Sequence, residues 1–217
     1  MGEPLVLGID SSTQSTKAEL RTVATGLLVA RASAPHPPVE PPVSEQDPEQ
    51  WWVAMESAVG ALGDDRRDVV AVSVAGQQHG LVLLGDDDLP LRPAPLWNDT
   101  TSAPDAERLV ERLGPVHWAE ACGSVPVASF TITKLARLVA EEPGLVDRVA
   151  RAMLPHDYLT FRLTGEAVTD RGDASGTGWW SPIEGRYQCD LLDAALDDGG
   201  GGAWLDRLPT ALGPEEL

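Results

Sequence analysis

The sequence is poor in cysteine and in long apolar runs. Its two cysteines, Cys122 and Cys189, stand far apart without a CxxC spacing, which argues against a disulfide framework and a cysteine-based zinc site. No apolar stretch reaches the roughly 18 residues of a membrane-spanning helix, and the chain opens without a basic leader. We therefore expect a cytoplasmic protein with no membrane partner.

Positive charge is also scarce. The 217 residues include 16 lysines and arginines against 34 aspartates and glutamates, a formal net charge of −18. Such a chain repels polyanions, so we expect no nucleic-acid partner. Its length allows a sizeable hydrophobic core without crosslinks.

The first 32 residues have the pattern of a small antiparallel sheet. Residues 5–9 are an uninterrupted apolar run that ends at Asp10, which predicts a strand buried on both faces with a carboxylate at its carboxyl end. Small polar residues follow as a turn, and residues 17–22 and 27–32 predict two returning strands. The opening therefore predicts a three-stranded antiparallel meander.

A helix and a further strand are predicted next. Asp47 and Pro48 are a typical helix start, and Trp51, Met55 and Ala58 follow at helical spacing. Residues 69–74 predict another strand, and residues 103–113, 131–140 and 156–163 predict helices. Residues 170–178 and the glycines 199–202 predict irregular loops. This order is typical of the ribonuclease H-like α/β fold of actin, Hsp70 chaperones and hexokinase, a mixed sheet flanked by helices.

The first strand end offers a candidate nucleotide site. Asp10 is followed at once by a hydroxyl-rich turn that includes Thr13. Such a turn directs N–H groups and hydroxyls at phosphate oxygens, while the carboxylate holds Mg²⁺ directly or through water. An ordinary β-turn explains the spacing as well, and from spacing alone it is the simpler interpretation.

Two further polar segments are candidate sugar contacts. Gln78 and His79 stand between glycines after the second apolar run, where amide and imidazole groups supply both donors and acceptors. A polar loop that only turns the chain is an equal alternative. Trp97, Asn98 and Asp99 combine an apolar plane with hydrogen-bonding groups, but Trp97 in the core and a helix cap at the other two are alternatives.

Six segments in chain order resemble the xylulokinases of the FGGY carbohydrate kinase family. They are GIDSST at 8–13, SEQDPEQWW at 44–52, GQQHG at 76–80, LWND at 96–99, PHDYL at 155–159 and LTGE at 163–166. The resemblance runs through nearly the whole chain. The loop at 76–80, together with the segment at 44–52, is similar to xylulose kinases rather than to glycerol or gluconate kinases.

The resemblance implies a kinase of two ribonuclease H-like domains that transfers phosphate from ATP to the 5-hydroxyl of D-xylulose. Residues 1–217 would be the N-terminal, sugar-binding domain, and its partner would be a C-terminal domain with most of the adenine site. By this resemblance Asp10 would organise Mg²⁺ and phosphates beside Thr13. The sugar would contact Gln78, which is often methionine in relatives, and His79, with Asn98 and Asp99 lining the cleft.

The chain departs from the family in one respect that bears on activity. The family's general base is an aspartate in a glycine-rich loop, which the resemblance places beyond Leu217. A positioned base contributes roughly 10²–10⁴-fold, so we expect the 217-residue chain to be nearly inactive alone. We also expect its exposed domain face to favour self-association, as in a homodimer.

Three other functions remain open at this point. A neighbouring specificity would place ribulose, fuculose or gluconate in the same cleft. A non-catalytic actin-like binding module would leave Asp10 as a turn residue only. An actin-like or chaperone-like ATPase would bind nucleotide without sugar.

Overall fold

A computed structural model describes residues 3–197 and 199–214. The strands are β1 (Leu5–Ser11), β2 (Ser15–Thr22), β3 (Leu28–Pro35), β4 (Glu45–Gln46), β5 (Val69–Gly76), β6 (Val82–Leu84), β7 (Ala94–Pro95), β8 (Arg151–Met153), β9 (Val168–Asp170), β10 (Trp180–Ser181), β11 (Arg186–Tyr187) and β12 (Thr210–Leu212). The α-helices are α1 (Pro48–Gly60), α2 (Ala103–Leu113), α3 (Pro115–Cys122), α4 (Thr131–Glu141), α5 (Pro143–Val146), α6 (Pro155–Thr164), α7 (Arg171–Ser175), α8 (Cys189–Leu196) and α9 (Gly201–Trp204). Two 3₁₀ helices cover Gly63–Asp68 and Leu205–Arg207.

The main sheet has the strand order β3-β2-β1-β5. Strands β1, β2 and β3 are antiparallel neighbours, and β5 joins β1 in parallel. The predicted meander is therefore confirmed, and the sheet is mixed. Since β1 and β5 run in the same direction, their carboxyl ends meet at one edge of the sheet.

Strand β1 is buried on one face only. Leu5, Leu7 and Ile9 are buried, whereas Gly8 and Asp10 are exposed. The prediction of burial on both faces is wrong, because helices α1 and α6 cover the sheet from one side among the residues that the structure describes. Burial alternates along this strand although nearly all of its residues are apolar: the outward positions carry a half-buried valine, a glycine and the aspartate.

Helix α1 forms as its sequence predicts. The Asp47 side chain accepts a hydrogen bond from the Glu49 N–H at 3.0 Å, and Pro48 occupies the first turn. Trp51 is buried against the sheet and donates its indole N–H to Gln46 at 2.8 Å. The first hydrophobic core lies between this helix, α6 and the sheet.

A second hydrophobic core lies among the later helices. Helices α2, α3, α4 and α8 pack around residues such as Trp118 and Leu191, both fully buried. Over residues 3–197 and 199–214, no helix has the length and apolar character needed to cross a bilayer. This half of the chain supplies the segments that lie behind the site.

Two segments predicted as irregular contain short helices. Within 170–178 the structure has α7, because the Asp170 side chain accepts hydrogen bonds from the N–H groups of Gly172 and Asp173. Helix α9 begins at Gly201, where a side chain would place its Cβ 2.4 Å from the Cys189 carbonyl oxygen. The glycine there permits close packing against α8, which composition alone does not reveal; Asp198, beside this segment, lies outside the described residues.

Candidate functional site

The carboxyl ends of β1 and β5 form one wall of a cavity of about 430 Å³. The cavity brings together four of the sequence-predicted site residues: Asp10, Thr13, Gln78 and His79. Its remaining lining comes from Ser11, Ser12, Gly76, Gln77 and Trp97. The loops after two parallel neighbouring strands meet there, which is where α/β folds usually place their sites.

The turn after β1 closes on itself. The N–H and the hydroxyl of Ser12 both donate to the Ser15 carbonyl oxygen, at 3.0 and 3.1 Å. Thr13 connects this turn to the other side of the cavity: its Oγ1 donates to Gln77 Oε1 at 3.0 Å and accepts from the Trp97 indole N–H at 3.0 Å. The threonine hydroxyl therefore ties three parts of the lining together.

Asp10 presents an accessible carboxylate at the mouth of β1. Its side chain is 56% exposed, and Lys17 Nζ lies 3.4 Å from Oδ2. Mg²⁺ in phosphate-transfer sites keeps several waters and takes only one or two carboxylates from the protein. A single open carboxylate beside the serine and threonine hydroxyls fits that requirement.

His79 is held in an unusual backbone conformation. Its φ is +60°, in the left-handed region that non-glycine residues rarely adopt outside turns and functional sites. Its Nδ1 lies 2.7 Å from the Gly176 carbonyl oxygen, and its ring packs against Phe130 with centroids 5.4 Å apart. Because a carbonyl oxygen only accepts, Nδ1 carries the proton of this hydrogen bond, and Nε2 is left for another partner.

The two glutamines before His79 lie differently. The exposed Gln78 donates its amide Nε2 to Asp173 Oδ1 at 2.7 Å. Gln77 is buried, and its Nε2 has no hydrogen-bond partner among the described residues, although Oε1 accepts from Thr13. A buried, unpaired donor in the lining of a cavity is suited to a polar ligand.

The remaining predicted residues are divided between two places. Trp97 is 49% exposed, so it is not a core residue, and it separates the first cavity from a neighbouring one of about 610 Å³ that Asn98 lines. Asp99 is buried, and its carboxylate accepts from the N–H groups of Ser44 and Thr101 at 2.7 and 2.9 Å. Asp99 thus caps a turn ahead of α2 rather than the helix itself, whose N-cap is Ser102, and it lines neither of these two cavities.

A buried lysine supports the wall behind His79. Lys134 donates to the carbonyl oxygens of Ala128 and Ser129 at 3.0 and 2.6 Å and thereby holds the segment that carries Phe130. Burial lowers the pKa of Lys134 to about 7, although the charge of Asp99 opposes that shift. This lysine is a structural residue of the helix α4 start.

Sequence patterns did not reveal three residues that shape the site. Gln77 stood only inside a motif, and Asp173 and Gly176 lie in a segment predicted as irregular. The left-handed backbone of His79 and the close approach of Gly176, whose Cβ would lie 2.5 Å from the His79 ring, need tertiary structure to be seen. The one available signal was the density of small residues at 170–178.

Comparison with known proteins places these features in a family. The chain is 53% identical to a xylulose kinase of Streptomyces coelicolor over 196 residues, which are 89% of this chain and 41% of the relative. It is 38% identical to a xylulose kinase of Escherichia coli over 200 residues, 89% of this chain and 40% of the relative. The chain thus spans about 40% of the length of these curated relatives.

Solved structures agree with the sequence relatives. The crystal structure of a xylulose kinase from Bifidobacterium adolescentis superposes with a TM-score of 0.89 at 37% identity, covering 99% of this chain and 48% of that one. A gluconate kinase structure from Lactobacillus acidophilus gives 0.86 at 24% identity over 98% of this chain and 42% of that one, a likeness of fold alone. The predicted ribonuclease H-like fold is confirmed. Since residues 5–196 match the N-terminal domain of the FGGY family of carbohydrate kinases, the chain belongs to that family.

Proposed function

We propose that residues 1–217 are the sugar-binding N-terminal domain of an ATP-dependent xylulose kinase, which converts D-xylulose to D-xylulose 5-phosphate. One observation carries the proposal: Asp10, Thr13, Gln78 and His79 line a single cavity in a chain that is 53% identical to a xylulose kinase. The cavity, at about 430 Å³, is within the size range of small-molecule sites.

The polar lining suits a neutral sugar. Hydroxyl groups donate and accept, and the cavity offers the His79 ring and the Gln78 carbonyl oxygen as hydrogen-bonding partners. The exposed face of Trp97 supplies an apolar plane for the carbon chain. Asn98, in the adjoining cavity, stays a prediction as a sugar contact.

The phosphate end of the site would lie at the β1 turn. Asp10 would hold Mg²⁺ directly or through water, and the bound metal would neutralise charge on the transferring phosphoryl group. Thr13 would position the turn through its bonds to Gln77 and Trp97. We assign no general base to the described residues and expect it, with most of the adenine site, in a partner domain; turnover by the 217-residue chain alone should therefore be very slow.

The test is calorimetric titration of D-xylulose into the 217-residue chain, its His79→Ala variant and its His117→Ala variant. His117 is a matched control because it is a half-exposed histidine of α3, bonded to Asp190 and absent from the cavity lining. We expect binding to the wild type and to the control, and loss in His79→Ala. Equal binding by all three proteins would refute the assigned site.

Titration of the same protein with other sugars and with ATP separates the other candidate functions. Tighter binding of D-ribulose, L-fuculose or D-gluconate would move the specificity within the family. ATP binding without any sugar binding would favour an ATPase, and binding of neither would favour a non-catalytic module.

A homodimer and a cytoplasmic location are further proposals. Val70 and Val72 on β5 are 66% and 50% exposed, and apolar surface of this kind is suited to cover by a second copy. Sedimentation that stays monomeric at high concentration would contradict the dimer.

A further inference from the structure

A histidine with no role in the proposed function lies directly behind residues 76–80, the loop after β5 that we call the sugar loop. His156, in the first turn of α6, has its Nε2 3.1 Å from the Val74 carbonyl oxygen of β5. Its Nδ1 faces three carboxylates, with Asp173 Oδ2 at 3.1 Å, Asp157 Oδ1 at 3.4 Å and Asp170 Oδ2 at 4.0 Å. The imidazole is thus enclosed between a strand carbonyl and an acidic cluster.

These surroundings make the ring a cation. The Val74 carbonyl only accepts, so Nε2 carries a proton, and Nδ1 faces carboxylates that attract a second one. Interaction with Asp157 first, and then with Asp173, raises the pKa of His156 to about 10 although burial opposes it. The His156 side chain is 17% exposed and that of Asp157 only 2%, so solvent screens these charges little.

The charge reaches the sugar loop through one carboxylate. Asp173 Oδ2 faces the imidazolium, and its Oδ1 accepts from Gln78 Nε2 at 2.7 Å. Burial would raise the pKa of Asp173, but the nearby charge of His156 and the hydrogen bond from Gln78 outweigh it and hold that pKa below its usual value. An ionised carboxylate only accepts, so Gln78 has to present its NH₂ group to Asp173 and leave its carbonyl oxygen to other partners.

The backbone holds both ends of this chain of contacts close together. A Cβ on Gly76 would lie 2.7 Å from the His156 Cα, so the end of β5 packs directly on the start of α6. Asp157 Oδ2 accepts from the Leu154 N–H at 3.0 Å, which fixes the first turn of α6. His156 therefore has a defined position relative to the loop two residues beyond Gly76.

We propose that His156 is a positioning residue that, through Asp173, orients the Gln78 amide so that its carbonyl oxygen accepts a hydrogen bond from a hydroxyl of a neutral sugar. The orientation of Gln78 follows from the contacts alone, and only the identity of the ligand rests on the proposed function. An acceptor in that place disfavours a carboxylate, so the same device selects against sugar acids.

The test of the orientation needs no ligand. The side-chain amide of Gln78 is observed by ¹H–¹⁵N NMR in the wild type and in the His156→Gln, His156→Lys and Asp173→Asn variants. We expect a shifted, rigid amide pair in the wild type, a mobile pair in His156→Gln and Asp173→Asn, and partial recovery in His156→Lys, which keeps the cation. A Gln78 amide that stays rigid and unshifted in His156→Gln and Asp173→Asn would overturn the proposal.

Two measurements cover a His156→Gln variant that does not fold. Asp173→Asn leaves His156 paired with Asp157 and carries the same test. In the wild type, both ring N–H protons of His156 should be visible at pH 8, and a neutral ring there would overturn the proposal. His156, Asp170 and Asp173 also have ligand atoms within 4.8 Å of one another, so Zn²⁺ is titrated in parallel; tight binding that His156→Lys abolishes would replace the ion pair with a metal site.

Sugar titration then distinguishes this proposal from the proposed function. Losing one oriented hydrogen bond should weaken D-xylulose binding roughly 2- to 10-fold in His156→Gln, with partial recovery in His156→Lys. The preference for D-xylulose over D-gluconate should narrow in the same variant. If the wild type binds no sugar while His156→Gln frees the Gln78 amide, the ligand assignment fails and the positioning role stands.

Discussion

Two loops meet at the cavity, and they are held in different ways. The turn after β1, with Asp10 and Thr13, is closed by bonds within four residues, from Ser12 to Ser15. The loop after β5 depends on residues more than 90 positions away: Gln78 bonds to Asp173 and His79 to Gly176. The backbone of the first loop thus closes on itself, and only the Thr13 side chain bonds to the distant Gln77 and Trp97, whereas the second loop takes its shape from distant residues.

Because of this difference, we expect substitutions in the first loop to remove a chemical group and substitutions in the second loop to change the shape of the site. The carboxylate of Asp10 is largely exposed, so replacing it removes a charge without disturbing a packed neighbour. The β5 loop has a left-handed His79, and two glycines admit close neighbours to it: Gly76 at the end of β5 and Gly176 after α7. Substitutions there should deform the site even where they carry no chemistry. Four predictions test this contrast, from the largest expected effect to the smallest.

Adding a methyl group at the end of β5 should cost the most stability. In Gly76→Ala the new Cβ would lie 2.7 Å from the Cα of His156, a backbone atom that cannot turn aside. We expect roughly 1–3 kcal/mol of destabilisation, as for other overpacked sites. The control is Gly8→Ala in β1, where no atom lies within 4 Å. Chemical denaturation measures both variants, and equal stability of Gly76→Ala and Gly8→Ala would remove the proposed contrast.

A methyl group behind His79 should affect binding more than stability. In Gly176→Ala the Cβ would lie 2.5 Å from His79 Cε1, so the ring has to leave its place. We expect D-xylulose to bind at least about 10-fold more weakly, which corresponds to the loss of one well-placed hydrogen bond. Gly60→Ala in α1, with no atom within 4 Å, should bind as the wild type does. Calorimetry that finds the two variants alike would show that His79 has room to adapt.

The sequence predicted the local loop well. An apolar run ending in Asp10, followed by small hydroxyl residues, is a pattern that neighbouring residues produce by themselves. The meander and helix α1 followed from such patterns, whereas a shared site for Asp10 and His79 was implied only by the family resemblance. The meander and α1 needed no contact between distant segments of the sequence.

The supporting residues of the second loop were not predictable in the same way. The segment 170–178 has the composition of a loop, yet Asp170 caps a short helix that places Asp173 under Gln78. Asp99 belonged to a candidate sugar-binding motif, but its carboxylate accepts hydrogen bonds from two backbone N–H groups. Composition does not tell which polar side chains are consumed by the fold, since that depends on partners far away in sequence.

The His156 ion cluster gives the second loop a pH dependence. The folded-state pKa of His156 is raised from 6.5 to about 10, so its stabilisation is complete below about pH 6.5 and is lost as the pH rises towards 10. The groups that face it are Asp157, Asp170 and Asp173. Lys134, with a pKa lowered to about 7, acts in the opposite direction over much of this range, so the comparison has to be with a variant.

Calorimetric unfolding of the wild type and His156→Gln at pH 6, 8 and 10 isolates the histidine. The wild type should unfold at the higher temperature at pH 6, and the difference should shrink steadily towards pH 10. A change of about 1 kcal/mol corresponds to roughly 2–4 °C in a chain of this size. A difference that stays constant with pH would mean that the ring is not the titrating group.

Replacing Asp10 should have the smallest effect on the fold and a specific effect on metal binding. The carboxylate is 56% exposed, and its ion pair with Lys17 is of the exposed kind that contributes about 0–1 kcal/mol. The free energy of unfolding of Asp10→Asn should therefore lie within about 1 kcal/mol of the wild-type value.

Mn²⁺, used as a paramagnetic probe for Mg²⁺, should broaden the amide signals of Ser11, Ser12 and Thr13 in the wild type but not in Asp10→Asn. Asp64→Asn, which removes an exposed carboxylate outside the cavity, should leave that broadening intact. Broadening that survives in Asp10→Asn would show that the metal is held elsewhere, and the local turn would then lose its assigned chemistry while the packed loop kept its own.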